Sequence, residues 1–293
     1  MDIFLLCLLV TLGMQLSFFF IAYAFKFDKV TDFAGGMNFT VLALICLFYD
    51  DGLMPATTRE RVIAAGVCVS RTELALILLG RVLKRGHDAR FDEMREKFFS
   101  FLAFWVFQIM WVYTVSTTFM YLRHARVADV PLDARDYVGW AIFSFGFLVQ
   151  LVSDAQKMRF RADPSNKGKV CSSGLWSWSR HPNYYGEMLI WWGVFISCCP
   201  VFAVSTAGYA TIASPIFTML ILLFLSGMPT AEGKNLARFF KTEESADAYR
   251  EYFDKTSPII LFPPALYSRM PPFIKKAFFF EYDMYKYREK VLP

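Results

Sequence analysis

The chain has 293 residues, of which 56% are hydrophobic and only 19% charged, with a formal net charge of +5; its mean hydropathy is +0.36. A soluble globular domain is about 45–50% apolar and about 25% charged, so this composition excludes an ordinary water-soluble enzyme or binding module. No RNA-binding signature or helix-turn-helix pattern accompanies the basic balance, and nucleic acid is not an expected partner.

Residues 3–25 carry no charge, a length that crosses about 30 Å of hydrocarbon as a helix. The charge before this run is acidic, Asp2, and not the basic n-region of a secretory signal, so the segment reads as a retained helix. Apolar segments follow at 37–49, 62–79, 98–122, 137–152, 188–202 and 207–228. The first of these is short of a full span. The expected fold is all-α, a polytopic transmembrane helical bundle of about seven spans, in a single membrane domain over residues 1–293.

The distribution of charge supports that count. With seven spans, most of the 31 Lys and Arg fall on one side, in the loops 26–36, 81–97 and 155–180 and in the C-terminal tail. The other side carries Arg59, Arg61, Arg123, Arg126 and Arg135, and Arg71 lies within a span. Positive residues stay cytoplasmic, so the tail is expected there. Such a face suits anionic lipid headgroups or a phosphorylated cofactor. Five of the six cysteines lie in apolar spans, where Cys acts as a small hydrophobe. With His87, His124 and His181 the only histidines, no ligand spacing points to a metal. The Asn-Phe-Thr sequon at Asn38 lies in an apolar segment, where no glycan is expected.

The longest polar stretch between spans runs over residues 153–187 and is broken by Pro164, Gly168 and Gly174. It ends in Arg180-His181-Pro182-Asn183-Tyr184-Tyr185-Gly186-Glu187, directly before an apolar run. Proline favours the first helical turn, so a helix is expected to begin near Pro182. Its free N–H groups and positive dipole end would suit an anion, and Arg180 and His181 add donors. Asn183 and Glu187 are four residues apart and share a helix face; an ionisable residue entering a span marks function. Together they could grip an amide or amine arriving from the headgroup layer. The competing reading is a juxtamembrane anchor, with Trp178, Tyr184, Tyr185, Trp191 and Trp192 as an aromatic belt. Upstream, Asp154, Lys157, Arg159, Arg161 and Lys169 suit a nucleotide, with cations for phosphate and an acid for ribose hydroxyls, or else form a positive-inside loop. No GxGxxG is present, so a Rossmann domain is not supported. Arg71 and Glu73 sit in a span two residues apart, each expected to face a buried partner or polar cavity. In the tail, Glu232 precedes Tyr249 and Tyr252, which could form one aromatic wall. Pro258, Pro263, Pro264, Pro271 and Pro272 rule out one long tail helix.

The stretches SDAQKMRF from Ser153, DPSNKGK from Asp163, GLWSWSRHPNYYGE from Gly174 and WWG from Trp191 together resemble the bacterial and protist branch of the steroid 5α-reductase-like membrane proteins. Softer matches are TDFAGGMNFT from Thr31, RTEL from Arg71, GHDARFDEMR from Gly86, FWVFQIMW from Phe104 and SGMP from Ser226. The similarity covers residues 31–264 and leaves 265–293 as an amphipathic tail. It implies a seven-helix reductase of the endoplasmic reticulum, or of a mitochondrial or bacterial inner membrane. Such an enzyme binds NADPH from the cytoplasmic side and reduces a conjugated C=C in a lipidic enone. On that resemblance Asn183 and Glu187 hold the nicotinamide amide, Asp154, Arg161 and Lys169 contact the adenosine and phosphate portions, and Tyr252 is a further match; Arg180, His181 and Tyr184, at the start of the same helix, are expected to bind the cofactor with them. The carbonyl-polarising tyrosine of the steroid enzymes has Cys68 in its place, so no catalytic acid is assigned. The central motif is also similar to isoprenylcysteine carboxyl methyltransferases and phospholipid N-methyltransferases, whose cofactor is S-adenosylmethionine. There Arg180–Gly186, Glu232 and Tyr249 or Tyr252 would serve. A third reading is a non-enzymatic subunit of a membrane assembly.

Overall fold

The computed structural model describes residues 1–49, 55–85, 91, 94–125 and 130–287. His87, Arg126 and residues 86–90 of the GHDARFDEMR stretch lie outside them. The described residues are helical, with one isolated β-bridge between Ser179 and Ser257. Seven segments are long and apolar enough to cross a membrane: Ile3–Ala24, Thr31–Phe48, Thr58–Lys84, Phe98–Ala125, Ala134–Ala162, Pro182–Val204 and Thr206–Phe239. The chain is therefore a multi-pass integral membrane protein.

The first six crossings are α1 (Ile3–Ala24), α2 (Thr31–Phe48), α3 (Thr58–Arg85), α4 (Phe98–Ala125), α5 (Ala134–Ala162) and α6 (Pro182–Val204). The helices α2 to α6 are all longer than the apolar pattern predicts, and two of the extensions shape the fold. Helix α2 begins six residues early, with Asp32 in its first turn, where an acid favours the positive helix end. Its Gly35-Gly36 pair stays helical because the helices pack closely: a Cβ on Gly36 would fall 2.8 Å from that of Ala75. Helix α5 continues to Ala162, so Ser153, Asp154, Lys157 and Arg161 are helical and not in a loop. Its last turns are rich in Ala, Gln, Lys, Met and Arg, all strong helix formers, and it stops ahead of Pro164. Its 29 residues span about 43 Å at about 1.5 Å per residue, which carries those side chains beyond the hydrocarbon.

The seventh crossing is interrupted. A 3-10 segment (Thr206–Ile212) leads into α7 (Ala213–Leu220) and a π-helical turn (Ile221–Leu225), then into α8 (Met228–Ala231) and a second 3-10 segment (Gly233–Phe239). The break falls at Ser226-Gly227, where a Cβ on Gly227 would meet the Leu222 carbonyl oxygen at 2.4 Å. Beyond it lie α9 (Glu243–Lys255), α10 (Pro264–Tyr267) and α11 (Pro272–Phe279). Pro263, Pro264, Pro271 and Pro272 stand at or just before the starts of the last two, as their missing N–H dictates.

The chain forms two compact units. The first, residues 1–141 and 191–217, has an aromatic core of Phe19, Phe91, Phe101 and Trp105. It also buries a chain of amides: Gln108 Nε2 donates to Gln15 Oε1 at 3.0 Å, and Gln15 Nε2 to Asn38 Oδ1 at 2.9 Å. Asn38 is thus an interior residue. Arg71 is buried there with its guanidinium over the Trp191 ring. Arg59 forms a bidentate buried pair with Asp136, at 2.5 and 2.9 Å. The second unit, residues 142–190 and 218–293, is held by close packing of α5 on α6. A Cβ on Gly186 would fall 2.5 Å from the Gly146 carbonyl oxygen, the small-residue packing that membrane helices favour.

Candidate functional site

The site expected from the sequence lies in the second unit, around the start of α6. The tail fixes that start. Arg180 N–H donates to the Ser257 carbonyl at 2.8 Å, Phe262 N–H to the Trp178 carbonyl at 3.1 Å, and Ser179 Oγ to the Ile259 carbonyl at 2.6 Å. Three N–H groups around that start have acceptors within the chain: that of His181 donates to Ser179 Oγ, and those of Tyr184 and Tyr185 to the His181 carbonyl.

Arg180 and His181 belong to a buried ionic cluster. Arg180 Nη1 and Nη2 grip the two oxygens of Glu281 at 3.2 and 2.9 Å, and its Nε lies 3.2 Å from Glu232 Oε1. Its guanidinium also covers the Phe253 ring at 3.8 Å. His181 Nε2 is 2.7 Å from the same Glu232 oxygen, while Tyr249 O–H donates to the other at 3.4 Å. Tyr267 O–H donates to Glu281 at 2.6 Å. Burial works against the Arg180 charge, but Glu232 and Glu281 outweigh it and hold its pKa above the ordinary value. Burial pushes the His181 pKa down against the pull of Glu232, so the ring stays neutral. Its Nε2–H then donates to Glu232, and its face stacks on Tyr184 at 5.1 Å. Burial, with the Glu232 charge, likewise raises the Tyr249 pKa and keeps that phenol protonated.

Beside this cluster, on the next turns of α6, are Asn183 and Glu187. Asn183 Nδ2 donates to Asp154 Oδ1 at 3.3 Å. Reversing the carboxamide would set its oxygen against a carboxylate, so the orientation is fixed by chemistry. Asn183 Oδ1 is left buried with no hydrogen-bond partner among the described residues. Glu187 is 7% exposed and accepts from Gln150 Nε2 at 2.8 Å. Lys157 Nζ lies 3.8 Å from the Trp176 ring centroid. Trp176 is held in turn by its indole N–H on the Ser153 carbonyl and by the Tyr252 O–H on its own carbonyl, at 2.8 and 2.6 Å.

The structure thus brings Asp154, Asn183 and Glu187 to one place and Arg180, His181 and Tyr184 to the adjoining cluster. Tyr252 forms the expected aromatic wall with Tyr249, their rings 6.2 Å apart, and directs its hydroxyl to backbone. Arg161 and Lys169 stand exposed at the end of α5 and in the loop after it. Sequence reasoning missed Gln150 and Glu281. Gln150 carried a signal, a lone amide in an apolar run four residues before Asp154. Glu281 carried none, since its partner lies a hundred residues away.

An uncharacterized protein of Schizosaccharomyces pombe is 23% identical over 184 residues, 54% of this chain and 53% of that protein. A probable O-methyltransferase of Ustilaginoidea virens is 41% identical over 46 residues, 16% of each chain. The chain therefore spans about half the length of the first relative and far less of the second. No solved structure matches. A family model described as "Protein of unknown function (DUF1295)" matches residues 18–256. With its seven crossings and its central motif, the chain belongs to this DUF1295 family, the steroid 5-alpha-reductase-like group.

Proposed function

We propose that this protein is a membrane reductase that binds NADPH and reduces a conjugated C=C bond in a lipidic or steroid-like enone. The observation that carries this reading is Asn183 Oδ1, a buried acceptor with no partner among the described residues, oriented by Asp154 and one turn from Glu187. A buried acceptor left unmade costs about 1–3 kcal/mol. A ligand amide N–H removes that cost, and the nicotinamide carboxamide is such a group. In this reading Asn183 and Glu187 hold the amide, Gln150 keeps Glu187 in place, and Arg161 and Lys169 meet the phosphates from the water side. The cofactor, when bound, supplies a hydride. The Arg180 cluster holds the start of α6 rigid, so that the two gripping residues keep their spacing.

A second reading is S-adenosylmethionine-dependent methyl transfer, and the 46-residue similarity to a probable O-methyltransferase favours it. The sulfonium cofactor's amine could also donate to Asn183 Oδ1. In that chemistry the protein would act mainly by aligning a nucleophile with the methyl group.

Thermal unfolding of the detergent-purified protein with NADPH, with S-adenosylmethionine and with neither separates the two. A ligand that binds only the folded state stabilises it by about 2.7 kcal/mol at about 100 times its dissociation constant. A rise with NADPH alone supports the reductase. A rise with S-adenosylmethionine alone replaces it with the methyltransferase, and no rise with either refutes both.

A further inference from the structure

The C-terminal segment 264–287 follows the family match and supplies none of the residues proposed above to touch the ligand. It is fastened to the second unit at several points. Tyr285 O–H donates to the Leu223 carbonyl at 2.6 Å, within the π turn of the seventh crossing. The Tyr282 ring stacks on Phe224 at 5.6 Å, and Phe224 is itself an exposed residue of that crossing. Phe279 packs against Phe262 and Tyr267, and Glu281 grips Arg180.

This fastening turns the other side of α11 outward. Phe273 and Phe278 are 69% and 67% exposed, and Leu266 and Met284 are exposed as well. Four large apolar side chains in water on one short segment make an unfavourable surface. The segment that carries them is fastened to the seventh crossing through Tyr282 on Phe224 and Tyr285 on Leu223. Among them stand the exposed cations Arg269, Lys276 and Lys286, with Asp283 the exposed acid among the described residues of the segment; it pairs with Lys286 at 2.8 Å and lies 3.9 Å from Lys276. Apolar rings interleaved with cations on a short helix at the end of a span are the features of an interfacial anchor.

The geometry points to the segment 264–287 as a surface that docks into the headgroup layer of a bilayer containing anionic phospholipid. Phe273 and Phe278 enter the acyl boundary, and Arg269 and Lys276 face the lipid phosphates. Because Glu281 lies on the same segment, docking also steadies the buried Arg180 cluster.

Hydrogen–deuterium exchange of the full-length protein tests this in nanodiscs of phosphatidylcholine alone and of phosphatidylcholine mixed with phosphatidylglycerol. The expected result is slower exchange over residues 272–279 in the anionic discs. Arg269→Gln with Lys276→Gln should abolish that difference. Phe273→Ser with Phe278→Ser should give fast exchange in both discs, with helix content by circular dichroism unchanged. Equal exchange of the wild type in the two bilayers, fast or slow, overturns the proposal, as does a lipid difference that survives the charge variant. Neither readout depends on which cofactor binds.

Discussion

Asn183 reaches Asp154 through its Nδ2, at 3.3 Å, and in doing so presents its Oδ1 as a buried acceptor without a partner among the described residues. One side chain on α5 therefore sets the polarity of a side chain on α6. Asp154→Asn removes the charge that fixes this orientation and lets the Asn183 amide turn over. The expected outcome is NADPH binding weakened about tenfold, since one hydrogen bond contributes about 0.5–1.5 kcal/mol and tenfold is about 1.4 kcal/mol. Titration by intrinsic fluorescence checks it, and unchanged affinity would remove Asp154 from the proposed site.

Glu187→Gln keeps the size of the side chain and an acceptor for Gln150, but loses the charge. Hydrogen bonds to charged groups contribute about 1.5–3 kcal/mol, so cofactor affinity should fall by about one to two orders of magnitude. The unfolding midpoint without ligand should stay close to wild type. If the variant binds both cofactors as the wild type does, the site assignment is wrong.

The ionic cluster gives the largest expected stability effect. Arg180→Leu would leave Glu232 and Glu281 buried without their cation, and breaking such a pair costs about 3–5 kcal/mol. A strongly lowered thermal midpoint, with loss of folded protein on size exclusion, is the outcome to look for. On sequence grounds, loss of Glu232 should harm a methyltransferase more than a reductase. Its place between Arg180, His181 and Tyr249 means that Glu232→Gln should destabilise the protein under either chemistry, so ligand-induced shifts are the better discriminator.

His181 is held neutral in the fold, with its pKa below the ordinary value because it is buried. A depressed folded pKa means that the unfolded chain takes up the proton more readily. The stability contributed is therefore present above about pH 6.5 and is lost as pH falls through and below that value. His181→Gln retains a donor for Glu232 and should flatten the fall in thermal midpoint between about pH 7 and pH 5. A variant with the same pH profile as the wild type would show that another group governs it.

What could be read from the sequence was local or cumulative. Long apolar runs without charge show the membrane class and the seven crossings, because an unpaired polar backbone cannot lie in hydrocarbon outside a helix. The four-residue spacing of Asn183 and Glu187 puts them on one face wherever α6 lies, since helical geometry is periodic. The tail prolines forbid a long helix for an equally local reason. The tertiary structure decided what depends on partners distant in sequence. The close packing of α2 on α3 follows from Gly36 meeting Ala75. The orientation of Asn183 follows from Asp154, the placement of Glu187 from Gln150, and the burial of Arg180 from Glu232 and Glu281. A charge or an amide names no partner by itself; only the packed helices bring a donor and an acceptor within about 3 Å and away from water.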